Sequence, residues 1–151
     1  MTAPLHCIVD ASVAVKLYLA EPLATEATAL FGLLADPANV FHVPDLFYVE
    51  CANIFWKYVQ RHLATAVQVT GYLASLKALP LQHTPTSDLI DNALPLALAQ
   101  GITAYDACYV ALFQRLSLPF ITADQKLEQK LAAAGLSVTW LGAWARPTST
   151  P

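Results

Sequence analysis

Along this chain short apolar runs alternate with longer stretches whose apolar residues recur at helical spacing. The runs His6 to Val9, Val40 to His42, Leu81 to His83, Phe120-Ile121 and Ser137 to Trp140 predict short strands. Between them the spacing predicts helices from Ser12 towards Leu19, Pro22 towards Leu34, Asp45 to about Arg61, Ala64 to Ala78, Thr86 to Gly101, Ala104 to Leu116 and Asp124 to Ala134. Pro22 suits a first helical position, Asp45 and Thr86-Ser87-Asp88 suit N-caps, and Gly101 and Gly135 suit helix ends. Strands separated by helices favour an α/β domain, with helices on both sides of a mainly parallel five-stranded sheet. Ligands of such sheets gather beyond the carboxyl ends of the strands, near a topological switch point.

Length and composition narrow this picture. With 151 residues the chain fits one domain over residues 1–145, followed by a disordered tail over 146–151. Hydrophobic residues make up 56% and charged residues only 13%. That balance predicts more apolar surface than a monomer hides, pointing to a homodimer or a protein partner, with a dense core as the plainer reading. A net charge of −3 excludes a general basic field, so any case for nucleic acid rests on a local site. Cys7, Cys51 and Cys108 sit in apolar runs without paired spacing, as buried thiols of a reducing compartment do. No signal-like opening and no run of transmembrane length appears, so a soluble cytoplasmic protein is expected.

Four acids sit where acids are poorly tolerated. Asp10 ends Cys7-Ile8-Val9, Glu50 is the only charge between Leu46 and Trp56, Asp106 the only one between Gln100 and Gln114, and Asp124 follows Pro119-Phe120-Ile121. Taken singly, each has an ordinary explanation: Asp10 and Asp124 as N-caps, Asp106 in a capping box with Thr103, and Glu50 as a solvated helix residue. Taken together, isolated carboxylates that converge would form a site for a hard divalent cation, and hence for phosphate chemistry.

Neighbouring residues fit that reading. Glu50, Asn53, Lys57 and Arg61 form one polar stripe at helical spacing, a carboxylate at one end and cations beyond it. A solvated face accounts for the two cations equally well. Ser12 and Thr122 lie two residues from Asp10 and Asp124, where a hydroxyl either caps a helix or orients a ligating carboxylate. Lys16, Lys57, Arg61 and Lys126 are the candidates for phosphate contacts. Tyr105 and Tyr109 read as packing residues.

Other chemistries find less support. The chain has 5 glycines and no G-x-x-x-x-G-K loop. His6, His42, His62 and His83 show no ligand spacing, and none stands where a Ser or Cys nucleophile would need it. Asp10-Ala11-Ser12 lacks the second aspartate of an aspartate-nucleophile phosphatase and the acidic pair of a phospho-receiver domain.

Four segments together carry a resemblance: IVDASVAVKLYL from Ile8, PDLFYVECANIFWK from Pro44, ITAYDACYVALFQRLSLPFITAD from Ile102, and QKLEQKL from Gln125. In order and spacing they resemble the PIN-domain family, and most closely its VapC-like toxin ribonucleases of type II toxin–antitoxin systems. The resemblance runs to about Trp140. It implies an α/β/α sandwich, Mg²⁺- or Mn²⁺-dependent endonucleolytic cleavage of RNA, dimerisation, and inhibition by a cognate antitoxin. It also implies Asp10, Glu50, Asp106 and Asp124 as the metal-holding acids, Ser12 and Thr122 as supporting hydroxyls, and Asn53 as a looser match. Two alternatives stay open: a non-catalytic module of the same fold, and a metal-dependent nuclease acting on DNA or flap structures.

Overall fold

The computed structural model describes residues 2–144, so the tail expected at 146–151 lies outside the described residues. Five strands, β1 (His6–Val9), β2 (Val40–Pro44), β3 (Gln82–Thr84), β4 (Phe120–Thr122) and β5 (Thr139–Trp140), form one sheet in the order β3-β2-β1-β4-β5. Every neighbouring pair is parallel. β1 is central, and Cys7, Ile8 and Val9 are all fully buried, which is why this strand reads as an unbroken apolar run rather than an alternating one. Helices therefore cover both faces, the three-layer α/β/α arrangement the sequence predicts.

The helices are α1 (Ala11–Ala14), α2 (Ala24–Gly32), α3 (Leu46–Gln60), α4 (Ala66–Lys77), α5 (Ile90–Gln100), α6 (Ala104–Leu116) and α7 (Gln125–Ala133). α6 packs across β1, β2 and β4 and is covered in turn by α5. Ala107 to Leu112 are all buried, so only the first and last turns of α6 carry charge. α3 packs against α1 and α4.

From β1 the chain builds β2 and β3 to one side, then crosses back to add β4 and β5 on the other. The switch point lies between β1 and β4, where Val9 is in register with Ile121. The next residue along each strand, Asp10 and Thr122, emerges on adjacent edges of this crevice.

Several boundaries differ from the sequence expectation. Pro22 does not open α2; Leu23 takes a left-handed conformation (φ 67°) and the helix starts at Ala24. The first helix is one turn, continued as a 3₁₀ segment over Val15–Leu17. Asp45 makes no cap hydrogen bond to α3; its carboxylate accepts from the Thr86 amide (2.8 Å) and the Thr86 hydroxyl, tying the two loops together. Thr86–Asp88 accordingly forms a 3₁₀ turn, and α5 begins without a side-chain cap. Gly101 (φ 63°) ends α5 as expected, and Cys7, Cys51 and Cys108 are free and buried.

Candidate active site

Asp10 is the anchor. The chain leaves β1 in extended conformation and turns at once into α1, with Asp10 as the N-cap. Its Oδ1 accepts from the Ser12 amide (2.6 Å) and the Ser12 hydroxyl, and its Oδ2 from the Thr122 hydroxyl (2.6 Å). Both hydroxyls serve twice. Ser12 Oγ also accepts from the Ala123 amide (3.0 Å), and Thr122 Oγ1 accepts from the Asp124 amide (3.1 Å). The loop after β4 is thus stapled to the loop after β1, fixing Asp124 beside Asp10. Thr122 is fully buried and Asp10 only 6% exposed, so these bonds act in a low-dielectric setting.

Asp124 is exposed and caps α7 through Oδ1, which accepts from the Leu127 amide at 3.0 Å. Asp106 sits in the first turn of α6, where only half of a capping box forms: the Thr103 hydroxyl accepts from the Asp106 amide (3.1 Å). Among the described residues the reciprocal bond from the Thr103 amide does not form; the Asp106 carboxylate, eased only by the Thr103 side chain, couples to Asp10 and Asp124. Glu50, part-buried on α3, accepts a hydrogen bond from the Tyr109 hydroxyl (2.7 Å) at Oε1. The structure brings all four acids into one electrostatic cluster.

Charge and burial act together there. Burial, opposed only in part by its hydrogen bonds and reinforced by Asp124, raises the Asp10 carboxyl above the ordinary carboxylate range. Burial pushes Glu50 up to about 7, with Asp10 and Asp106 adding repulsion. Burial pushes Asp106 up to about 6, with Asp10 and Asp124 adding to it. No cation balances the cluster: the one ion pair among the described residues, Lys16–Glu21, leaves all four acids out. As they stand, no three Asp, Glu, His or Cys side chains among the described residues close round a common point. The donor set, four carboxylates and two hydroxyls with no nitrogen or sulfur, fits a hard cation such as Mg²⁺ or Mn²⁺.

Beside the acids lies a cleft of about 350 Å³ lined by Ser12, Lys16, Glu21, Lys57, Arg61 and Asp124, among others. Three of the four basic candidates therefore share one wall with two of the site residues. Lys126 and Asn53 are exposed and outside this lining. One expectation needs correction and another needs completing. Tyr105 is 64% exposed, because its position at the start of α6 points off the core. Tyr109 does pack, stacking on Phe120 at 5.7 Å, but it also supplies the Glu50 donor. Its position one helical turn after Asp106 was the available signal. Glu21 and Tyr58, which line the cleft, carried no motif that marked them.

A parallel sheet with a cluster of unbalanced carboxylates at its switch point defines the class: an α/β domain with an acidic crevice. The PIN domain family matches residues 7–131, and the chain belongs to that family. Within it the chain is VapC-like. It is 32% identical over 130 residues to Ribonuclease VapC3 of Pyrobaculum aerophilum, covering 83% of this chain and 95% of that protein. Among solved structures, PAE2754 from Pyrobaculum aerophilum superposes with a TM-score of 0.67 at 18% identity, covering 94% of this chain and 89% of that one. VapC20 of Mycobacterium tuberculosis, described as a sarcin–ricin loop cleaving toxin, does so with 0.64 at 16% identity, covering 93% and 99%. At those identities the two structures speak to the fold alone.

Proposed function

We propose that this protein is a Mg²⁺- or Mn²⁺-dependent endoribonuclease, the toxin of a toxin–antitoxin pair, formed by one nuclease domain over residues 1–145. The observation that carries the reading is the electrostatic coupling of Asp10, Glu50, Asp106 and Asp124 without a counter-charge, next to a cleft with three cations. The names of the VapC relatives support ribonuclease as the activity.

In this reading Asp10, Asp106 and Asp124, with Glu50, hold the cation. What Mg²⁺ or Mn²⁺ supplies when bound is activation of water at neutral pH and shielding of charge on the phosphate. Ser12 and Thr122 fix the Asp10 carboxylate, so its orientation does not depend on the ion. Tyr109 does the same for Glu50. Glu50 and Asp106, pushed up by burial to about 7 and about 6, would have to give up any proton they carry in order to hold a cation. Lys16, Lys57 and Arg61 receive backbone phosphates along the cleft, Lys126 is a further phosphate candidate outside its lining, and Asn53 is assigned a supporting role beside the acids.

Apolar surface supports the partners. On α3, the exposed Trp56 and Val49 line clefts of about 260 and 430 Å³ shared with α4, where Val67 is also exposed; on α5, Ile90, Leu94 and Leu98 form a second exposed stripe. Two such surfaces suit a cognate antitoxin and a second copy of the chain. No single helix among the described residues is long and apolar enough to cross a membrane. The proposed setting is the cytoplasm, where the RNA is.

Matched single-stranded RNA and DNA of one sequence, offered together to protein freed of any co-purifying partner, test the substrate class. The proposal expects the RNA to be cut and the DNA left whole. Equal cutting of both would assign a DNA-competent nuclease instead, and binding without cutting a non-catalytic module.

A further inference from the structure

Lys16, Glu21 and Tyr58 come from three separate segments: the 3₁₀ turn after α1, the loop before α2, and the last turns of α3. Lys16 Nζ donates to Glu21 Oε2 at 2.9 Å, and the Tyr58 hydroxyl donates to Glu21 Oε1. Glu21 therefore has both oxygens engaged, and these donors together with the Lys16 charge hold its pKa below the ordinary value despite burial. Its charge is permanent at neutral pH.

The Lys16 side chain is only 11% exposed and that of Glu21 23%, so this is no loose surface pair. An ammonium has three donors. One goes to Glu21, and among the described residues the other two have no protein acceptor. All three residues line the same cleft as Asp124, Lys57 and Arg61. By contrast Lys57 and Arg61 are exposed, and no ion pair among the described residues involves them. The cleft thus holds one cation built into its wall and two on its rim.

We infer that Glu21 and Tyr58 are positioning residues that hold the Lys16 ammonium in the cleft wall, with two donors free for a backbone phosphate of the RNA substrate. The inference rests on the ribonuclease reading above. A fixed cation loses little side-chain freedom when it meets a phosphate, whereas a free lysine loses most of its own. Lys16 then selects where the backbone lies relative to Asp124, and Lys57 and Arg61 add attraction without fixing register.

Simple electrostatics predicts the opposite sign for one variant, which makes the inference testable. Removing an acid from a cleft that takes a polyanion should tighten binding; removing the acid that positions the cation should weaken it. Binding of a fluorescent single-stranded RNA is measured by anisotropy in Mg²⁺, in an Asp106→Asn background, across a salt series. Glu21→Ala and Lys16→Met are each expected to weaken binding about two- to fivefold, the range a part-exposed ion pair supports. Glu21→Ala adds no further loss once Lys16→Met is present. Lys16→Met also lowers the salt slope by about 0.7, the loss of one phosphate contact to a single strand. Glu21→Gln, which keeps the shape and one acceptor, restores part of the affinity. Tyr58→Phe loses less than Glu21→Ala and carries the test should Glu21→Ala fold poorly. With residue 106 restored, Glu21→Ala is expected to raise KM and leave kcat unchanged. Tighter or unchanged binding by folded Glu21→Ala overturns the inference and leaves the ribonuclease reading standing. Absence of RNA binding by the parent protein overturns both.

Discussion

Replacing Glu50 by glutamine removes one charge from the carboxylate cluster while keeping an acceptor for the Tyr109 hydroxyl. Burial and the charges of Asp10 and Asp106 push Glu50 from 4.5 to about 7 in the fold. Between those values the folded protein binds a proton that the unfolded chain releases, so the free energy of unfolding falls as pH rises through this window. Asp106, moved from 3.8 to about 6, acts with the same sign at lower pH. His42, whose pKa is lowered by burial, acts with the opposite sign below its ordinary 6.5, but does so equally in both proteins. A shift of this size at full burial would correspond to about 3 kcal/mol. Glu50 is only part-buried, and solvent screening reduces this to about 1–2 kcal/mol. In EDTA, urea unfolding at about pH 8 should find Glu50→Gln more stable than the parent by that amount, with the gap closing as pH falls to about 5. Saturating Mg²⁺ at the higher pH should stabilise the parent more than the variant. A variant no more stable than the parent at the higher pH, or a gap that does not close on acidification, would refute the account of a repulsive cluster.

Three further outcomes follow from the same geometry. Thr122→Val keeps the buried shape but leaves Asp10 Oδ2 without its donor and the Asp124 amide without its acceptor, so urea unfolding should show a loss of about 2–3 kcal/mol; a loss below about 0.5 kcal/mol would show that the staple between the two loops is not needed. Tyr109→Phe keeps the stacking on Phe120 but removes the Glu50 donor, so the Glu50 carboxyl, followed by NMR in the metal-free protein, should titrate higher than in the parent; an unchanged titration would dissociate Tyr109 from the site. Burial pushes the Cys7 thiol up to about 12 and raises Cys51 as well, so alkylation of the native protein should wait on unfolding and accelerate in urea.

The acids were legible in the sequence because each interrupts an apolar run, and an isolated carboxylate in such a run has few stable fates. The strands were legible for the related reason that β1 is buried on both faces and so lacks polar positions. Helix starts were read less well. Asp45 and Thr86 have cap-forming side chains, yet they spend them on each other across 41 residues, a tertiary choice that local spacing does not encode. Leu23 takes a left-handed conformation that no propensity favours, which delays α2 by two residues from the expected Pro22. In the site, Ser12 and Thr122 were found by their distance from the aspartates, whereas the Tyr109–Glu50 and Tyr58–Glu21 bonds join residues far apart in the chain. Tyr109 reads as a packing residue because its ring does pack, and only its hydroxyl reaches the polar partner, whereas nothing in the local sequence marks Tyr58. Lys126 was marked by its proximity to Asp124 in sequence, but α7 carries it away from the cleft lining.

In the proposed function the four carboxylates form one cation site that hydrolyses RNA. Its most direct test is cleavage of a total small-RNA pool by antitoxin-free protein in Mn²⁺ or Mg²⁺, beside an EDTA control and an Asp106→Asn variant whose fold is verified by its unfolding curve. The account predicts discrete cuts that vanish in both controls. Cuts that persist in EDTA, or in the folded Asp106→Asn protein, would contradict it.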